Sequence, residues 1–156
     1  MAARSTSDVM INIRDLTTAE EARWRELWQG YLTFYETAVA PDATDTTWAR
    51  LIDPNEAAMF CIVAEIDDIV VGIVNCVLHW NTWTEKPVCY LEDLFVDPVV
   101  RGQGAGRALI EAVRTRGQAE GWHRVYWRTR NDNTTARALY GTLATETDWV
   151  TYEISL

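Results

Sequence analysis

The sequence predicts one domain, spanning 1–156, of the α/β or α+β class. Its 156 residues suit a single core and are too few for two well-filled ones. Stretches with helical spacing of apolar residues interleave with stretches rich in Val, Ile and Cys. Between one of the latter and one of the former lie a turn and three glycines, Gly102, Gly104 and Gly106, so a strand there leads through a tight loop into a helix.

Residues 11–16 read as a short first strand. Thr18-Ala19-Glu20-Glu21 has the form of a capping box. After it Trp24, Leu27, Trp28, Tyr31 and Tyr35 recur at steps of three and four, which marks an amphipathic helix. A second short helix is expected over 47–52, stopping before Asp53-Pro54. Residues 60–66 and 69–79 flank Asp67-Asp68 as an antiparallel hairpin. A strand over 88–96 ends at Asp97-Pro98, and a helix over 104–118 carries Ala105, Ala108, Leu109, Ala112 and Val113 on one face, with Gly121 placed to end it. Residues 124–130 read as a strand that should lie parallel to 88–96 by a right-handed crossover. Asn133 can cap a helix bearing Ala136, Leu139, Tyr140 and Leu143. Val150, Tyr152, Ile154 and Leu156 alternate as in a final strand.

Composition excludes several functions. Lys plus Arg total 14 against 23 for Asp plus Glu, a net charge of −9. That argues against nucleic acid as a partner, which needs a basic face, and is compatible with a cationic substrate. No apolar run is long enough to span a membrane, and the stretch 1–8 lacks the apolar core of a secretory signal, so a cytoplasmic location is expected. Three cysteines, Cys61, Cys76 and Cys89, in apolar surroundings and without C-x-x-C spacing read as buried thiols. With only two histidines, His79 and His123, no metal site is expected.

The glycine loop is the most informative segment. In Leu94-Phe95-Val96-Asp97-Pro98-Val99-Val100-Arg101-Gly102-Gln103-Gly104-Ala105-Gly106-Arg107, glycines allow close backbone approach, and the free N–H groups at a helix start suit a phosphate. A P-loop is excluded because no Gly-Lys-Ser/Thr follows. A dinucleotide fingerprint is excluded because Arg107 stands where its third glycine belongs. Arg101, Gly104 and Gly106 fit the pattern Q/R-x-x-G-x-G/A of the GNAT N-acetyltransferases. The strand Tyr90-Leu91-Glu92-Asp93-Leu94 before the loop, and Asn133 leading into a helix with Tyr140, resemble two further elements of that family. The likeness is specific over 90–143 and is similar to the small-amine members, the diamine acetyltransferases among them, whose strand also carries Leu-Glu-Asp. One departure is Leu143-Ala144-Thr145, where the family commonly reads Leu-Gly-Phe.

The resemblance implies a twisted, mixed but mostly antiparallel sheet of about six to seven strands flanked by about four helices. It implies acetyl-CoA as cosubstrate, its pyrophosphate on Arg101, Gly102, Gln103, Gly104, Ala105, Gly106 and Arg107. The pantetheine would lie along Leu94, Phe95 and Val96, with Asn133, Ala136 and Tyr140 nearby. A backbone N–H at the splayed strands would meet the thioester carbonyl. Glu92 is the implied base that strips the amine of its proton, and Tyr140 the acid for the departing thiolate.

Neighbours on a strand face opposite ways, so Glu92 and Asp93 share a cleft only if a bulge intervenes, and the residue that meets the amine stays open. Tyr31, Tyr35 and Glu36, near the end of the first helix, are expected at the acceptor site. Trp80 and Trp83, beyond a strand end, are either a wall of that site or a contact between two copies. The expected reaction is direct transfer of an acetyl group to the primary amine of a small molecule; a protein lysine or N-terminus, or a non-catalytic CoA-binding role, are the alternatives. A homodimer is compatible with all of them.

Overall fold

The structure is a computed structural model describing residues 8–156; of the stretch read as lacking a signal, all but Asp8 lies outside the described residues. Strands β1 (Asn12–Asp15), β2 (Met59–Ile66), β3 (Ile69–His79), β4 (Val88–Val96) and β5 (Arg124–Tyr126) form one sheet in sequential order. All neighbours are antiparallel except β4 and β5, which run parallel as the crossover requires. Helices are α1 (Glu21–Phe34), α2 (Pro41–Ile52), α3 (Ala105–Glu120) and α4 (Thr134–Leu143).

Two expectations about strands are corrected. The sheet has five strands among the described residues, not six or seven. β5 stops at Tyr126 instead of reaching 130, and 150–156 pairs with no strand among the described residues. Alternation records that a segment is two-faced and carries no information on where its partner edge lies. Two boundaries move as well. The capping box is one residue earlier, Thr17 with Glu20, and closes a 3-10 turn at Thr18–Glu20 before α1. α2 starts at Pro41, not at residue 47, because proline at the first helical position needs no hydrogen-bond partner.

The sheet is covered on both faces. On one, Trp24, Leu27, Trp48 and Leu51 of α1 and α2 pack on Cys61, Val63, Ile73 and Phe95. On the other, Leu109, Ile110 and Val113 of α3 pack on Ile62, Val74, Cys76, Cys89 and Leu91. α1 lies very close to β4: a Cβ added at Gly30 would stand 2.6 Å from the Phe95 ring, so glycine sets that spacing. The hairpin turn carries Asp67 at φ 49° and Asp68 at φ 62°, the left-handed pair that matches strand twist. All three cysteines are buried free thiols. Burial drives the Cys61 thiol well up, and a hydrogen bond with Cys89 together with burial raises Cys76.

β4 carries the feature that positions the site. Its pairing with β3 runs Asn75 to Asp93 and then Cys76 to Leu91, leaving Glu92 as an extra residue in a bulge. Strand parity therefore switches. Cys89 and Leu91 point to the α3 face, whereas Asp93 lies opposite Asn75 and Phe95 points to the α1 face.

Candidate active site

β4 loses its second neighbour near the bulge. β5 pairs with Val88, Cys89 and Tyr90 only, so from Leu91 onward the β5 side of β4 is open among the described residues. The Asp97 N–H donates to Val71 O at 2.8 Å, so Val96, opposite Gly72, turns its own N–H and C=O away from β3. Leu94, two residues back, turns the same way. Phe95, between them, points its side chain into the α1 core and its backbone toward β3. The open edge thus offers Leu94 and Val96 as hydrogen-bonding backbone, and Phe95 anchors the strand. The Val96 carbonyl already accepts from Arg101 Nε at 3.2 Å.

The edge runs directly into the glycine loop. Asp97 caps the turn at Pro98–Val100 through the Val99 N–H, and Arg23 of α1 binds its other oxygen at 2.7 Å. The Arg23 guanidinium holds the Asp97 carboxyl below its usual range. Gly102 at φ 81° and Gly104 at φ 92° then make left-handed steps closed to most side chains. The first intrahelical bond of α3 is donated by Ala108 to Gly104 O, leaving the N–H groups before it for an outside acceptor. A Cβ at Gly102 would meet nothing within 4 Å, so the loop faces open space. Arg101 stacks over Phe34 and Phe95, and Arg107 donates to Thr142 Oγ1 at 2.8 Å. Gln103 is exposed, and Ala105 is buried as the first residue of α3.

On the α1 face a buried polar chain runs beneath the helix. Trp24 Nε1 donates to Asn75 Oδ1 at 3.3 Å, and Asn75 Nδ2 donates to Asp93 Oδ2 at 3.1 Å. Tyr31 also stands near enough to Asp93 for each to shift the other's titration. Only 8 % of Asp93 is exposed. Burial pushes its carboxyl up to about 6; the Glu92 charge adds to the rise, while Asn75 and Tyr31 oppose it. Burial and the same Asp93 raise the Tyr31 phenol. Trp24, Trp28, Tyr31 and Tyr35 form an aromatic ladder along α1, with ring centroids 5.8, 5.4 and 4.9 Å apart, leading from core to surface. α1 stops one residue short of the expected Tyr35, which caps it, and Glu36 follows, exposed, at φ 52°.

Glu92 is exposed at the bulge, and its charge is felt at Asp93, Tyr126 and Arg128. Tyr90 stacks on Tyr126 at 4.9 Å, Arg128 donates to the Tyr90 hydroxyl at 3.1 Å, and Tyr126 Oη meets His79 Nε2 at 2.8 Å. Across the opening, Asn133 caps α4 by accepting from the Ala136 N–H and donates to Thr129 Oγ1 at 3.1 Å. Tyr140 packs edge-on against Trp127 at 5.4 Å, and burial with the neighbouring Tyr35 raises its phenol to about 12. Trp80 and Trp83 make no hydrogen bond or ring contact with Glu92 or Asp93 among the described residues. They lie in the connection between β3 and β4, where both are exposed and Trp83 meets Trp149 with ring centroids 6.3 Å apart.

The sequence profile of the Acetyltransferase (GNAT) family matches residues 21–143. The chain belongs to the GNAT acetyltransferase family. It is 33% identical over 144 residues to the D-amino-acid N-acetyltransferase of Saccharomyces cerevisiae, covering 92% of this chain and 89% of that one. It is 24% identical over 143 residues to the aminoglycoside N(6')-acetyltransferase type 1 of Salmonella enteritidis, covering 87% and 92%. Its fold superimposes on an aminoglycoside N-acetyltransferase solved in complex with CoA, with a TM-score of 0.79, 21% identity and coverage of 97% and 98%.

This GNAT protein is therefore an N-acetyltransferase that draws its acetyl group from acetyl-CoA. The open β4 edge and the glycine loop fit that cosubstrate: outward backbone at Leu94 and Val96 suits the amide-bearing arm, and the start of α3 suits the pyrophosphate. Two features beside the candidate site escape a reading of the sequence. Asn75 is a polar residue inside the apolar run Ile73-Val74-Asn75-Cys76-Val77, a signal that was there to be taken. The group of His79, Tyr90, Tyr126 and Arg128 is assembled by β3–β4–β5 pairing and has no local signature.

Proposed function

We propose that the protein transfers an acetyl group to a primary amine of a small molecule, by direct attack with amine and acetyl-CoA bound together. The bulge at Glu92 carries this reading. It brings the Glu92 and Asp93 carboxylates within electrostatic reach of each other where β4 parts from β5. The net charge of −9 suits a cationic acceptor, and the small-molecule amines named for the yeast and Salmonella relatives support the class.

Acetyl-CoA supplies an acetyl carbon activated as a thioester. An alkylammonium, with a pKa near ~10.4, must first lose a proton. Glu92 takes it, directly or through a water. Asp93, ionised above pH about 6, draws the cation in and is held by Asn75. The Leu94 N–H, the first to face the open edge past the bulge, steadies the negative charge on the acetyl oxygen. As the amine nitrogen bonds to the acetyl carbon and the carbon–sulfur bond breaks, Tyr140 donates a proton to the sulfur, and the surplus proton that the nitrogen sheds on becoming an amide returns through water to the Tyr140 oxygen. With its phenol raised to about 12, Tyr140 keeps that proton at neutral pH. Tyr31, Tyr35 and Glu36 border the acceptor side, and Asn133 and Ala136 the thiol side. A cytoplasmic setting agrees with three free thiols.

Release of free thiol from acetyl-CoA, followed against D-amino acids, aminoglycosides, diamines and lysine peptides, tests the proposal. Turnover is expected with one of the small amines at a kcat/KM well above that for any peptide. Turnover confined to the peptides would overturn it.

A further inference from the structure

We propose that the acceptor is a zwitterionic α-amino acid, its carboxylate held by Arg128 and Tyr90 while its amine meets Glu92. This rests on the small-amine reading and narrows it to one class. β4 and β5 pair from Val88 with Arg124 as far as Tyr90 with Tyr126, and then part. Two residues beyond that last pair stand Glu92 on the β4 side and Arg128 on the β5 side. Carried on, the parallel register would set the two opposite each other as an ion pair. The parting of the strands opens that pair. Arg128 feels the Glu92 charge, yet among the described residues its one hydrogen-bond partner is Tyr90. A cation and an anion left facing an opening suit a ligand that carries both charges.

Arg128 is exposed but held in place. Its Nε donates to the Tyr90 hydroxyl at 3.1 Å, and its guanidinium lies 5.6 Å from the centre of the Tyr90 ring. Tyr90 stacks on Tyr126 at 4.9 Å, and Tyr126 is fixed in turn by His79. The Trp80 carbonyl only accepts, so His79 Nδ1, 2.9 Å from it, carries the ring proton. His79 Nε2 is then the acceptor, and the Tyr126 hydroxyl donates to it at 2.8 Å. Burial raises the Tyr126 phenol, which keeps that proton in place. The Arg128 guanidinium is raised by its bond to Tyr90 and then by the charges of Glu92 and Glu153, so it stays a cation at any working pH. Its two terminal NH2 groups are unbonded among the described residues, and the Tyr90 hydroxyl, accepting from Nε, keeps its own hydrogen to donate. A fork of N–H donors beside a hydroxyl is a seat for a carboxylate.

The spacing agrees. Tyr90 and Glu92 are two residues apart on β4, about 7 Å in an extended strand. The carboxylate and ammonium of an α-amino acid, each with a hydrogen bond of about 2.9 Å, bridge a gap of that order. A diamine or an aminoglycoside would bring a further cation against Arg128, and like charges repel. A lysine side chain in a peptide has no carboxylate beside its amine. Acetylation turns the ammonium into a neutral amide, so the product keeps its hold on Arg128 but loses its attraction to Glu92 and Asp93, which favours release.

The test follows thiol release from acetyl-CoA with the D and L forms of alanine, methionine, phenylalanine and lysine, each beside its carboxamide. The carboxamide keeps the amine and the shape and removes the carboxylate charge. Its amine is the less basic of the two and more readily neutral, so a preference for the acid reports recognition and not reactivity. For the accepted amino acid, kcat/KM should exceed that of its carboxamide by about 10- to 100-fold, the range of hydrogen bonds to a charged group. That ratio in the parent enzyme needs no variant. In Arg128→Gln it should fall to near one, with the loss mainly in KM, and the rise in melting temperature on adding acetyl-CoA checks that the variant is folded. Equal turnover of acid and carboxamide, or a ratio unchanged in Arg128→Gln, would overturn the proposal and leave the small-amine reading standing. Turnover of aminoglycosides or diamines but of no amino acid would do the same. Turnover of lysine peptides alone would overturn both.

Discussion

Asp93 carries a pH signature that separates it from every surface carboxylate. Below about pH 4 it is protonated folded or unfolded, and its burial costs nothing. Between there and about 6 the folded chain holds a proton that the unfolded chain releases, so stability falls as pH rises. Above about 6 the loss is complete and amounts to about 3 kcal/mol. Asp93→Asn is neutral throughout, so its melting temperature minus that of the parent should grow from near zero at pH 4 to several degrees at pH 7. A difference that stays flat with pH would sink the account of a buried, partly desolvated charge. Glu92 and Tyr140 are tested by rate. Tyr140→Phe keeps the ring against Trp127 and should lower turnover by about 10²-fold or more. Glu92→Gln should slow the reaction at neutral pH and recover partly as pH rises and more amine is already free of its proton. Near-normal turnover in both would leave Tyr140 as core and Glu92 as a solvated carboxylate. A dead Asp93→Asn beside a healthy Glu92→Gln would move the base by one residue.

The elements owe their placement to backbone conformations more than to side chains. The loop before α3 needs positive φ at Gly102 and Gly104, and its spacing of glycines and arginines was legible because such a backbone leaves a mark on residue type. Gly104→Val forces a branched side chain into φ 92°. It should abolish the rise in melting temperature that acetyl-CoA gives the parent. An undiminished rise would assign the pyrophosphate elsewhere. The bulge at Glu92 left no comparable mark. It needs no glycine or proline, and Leu91-Glu92-Asp93-Leu94 reads as ordinary strand. Only the register against β3 reveals that Asp93 shares the α1 face with Phe95. α1 was legible along its aromatic ladder but not in its stop at Phe34, because Tyr35 continues the helical spacing while already serving as the cap.

The whole molecule carries a net charge of −9. Among the described residues no three His, Cys, Asp or Glu side chains converge, and no helix is long and apolar enough to cross a membrane. Dialysis against a chelator should leave acetyl transfer intact, and activity restored by one divalent ion would contradict this. The two-faced core was legible from periodicity, since helices and strands each bury one side. The strand count was not, because 150–156 satisfies the pattern of a strand without a partner among the described residues. Cys61, Cys76 and Cys89 lie in that core, on both faces of the sheet. Their thiols are out of solvent, and burial keeps Cys61 and Cys76 in the unreactive protonated form. A colorimetric reagent for sulfhydryls therefore reads the CoA product with almost no background from folded enzyme. The same reagent becomes a clock for unfolding: each chain that opens releases three equivalents of colour, at the rate at which the sheet separates from its helices.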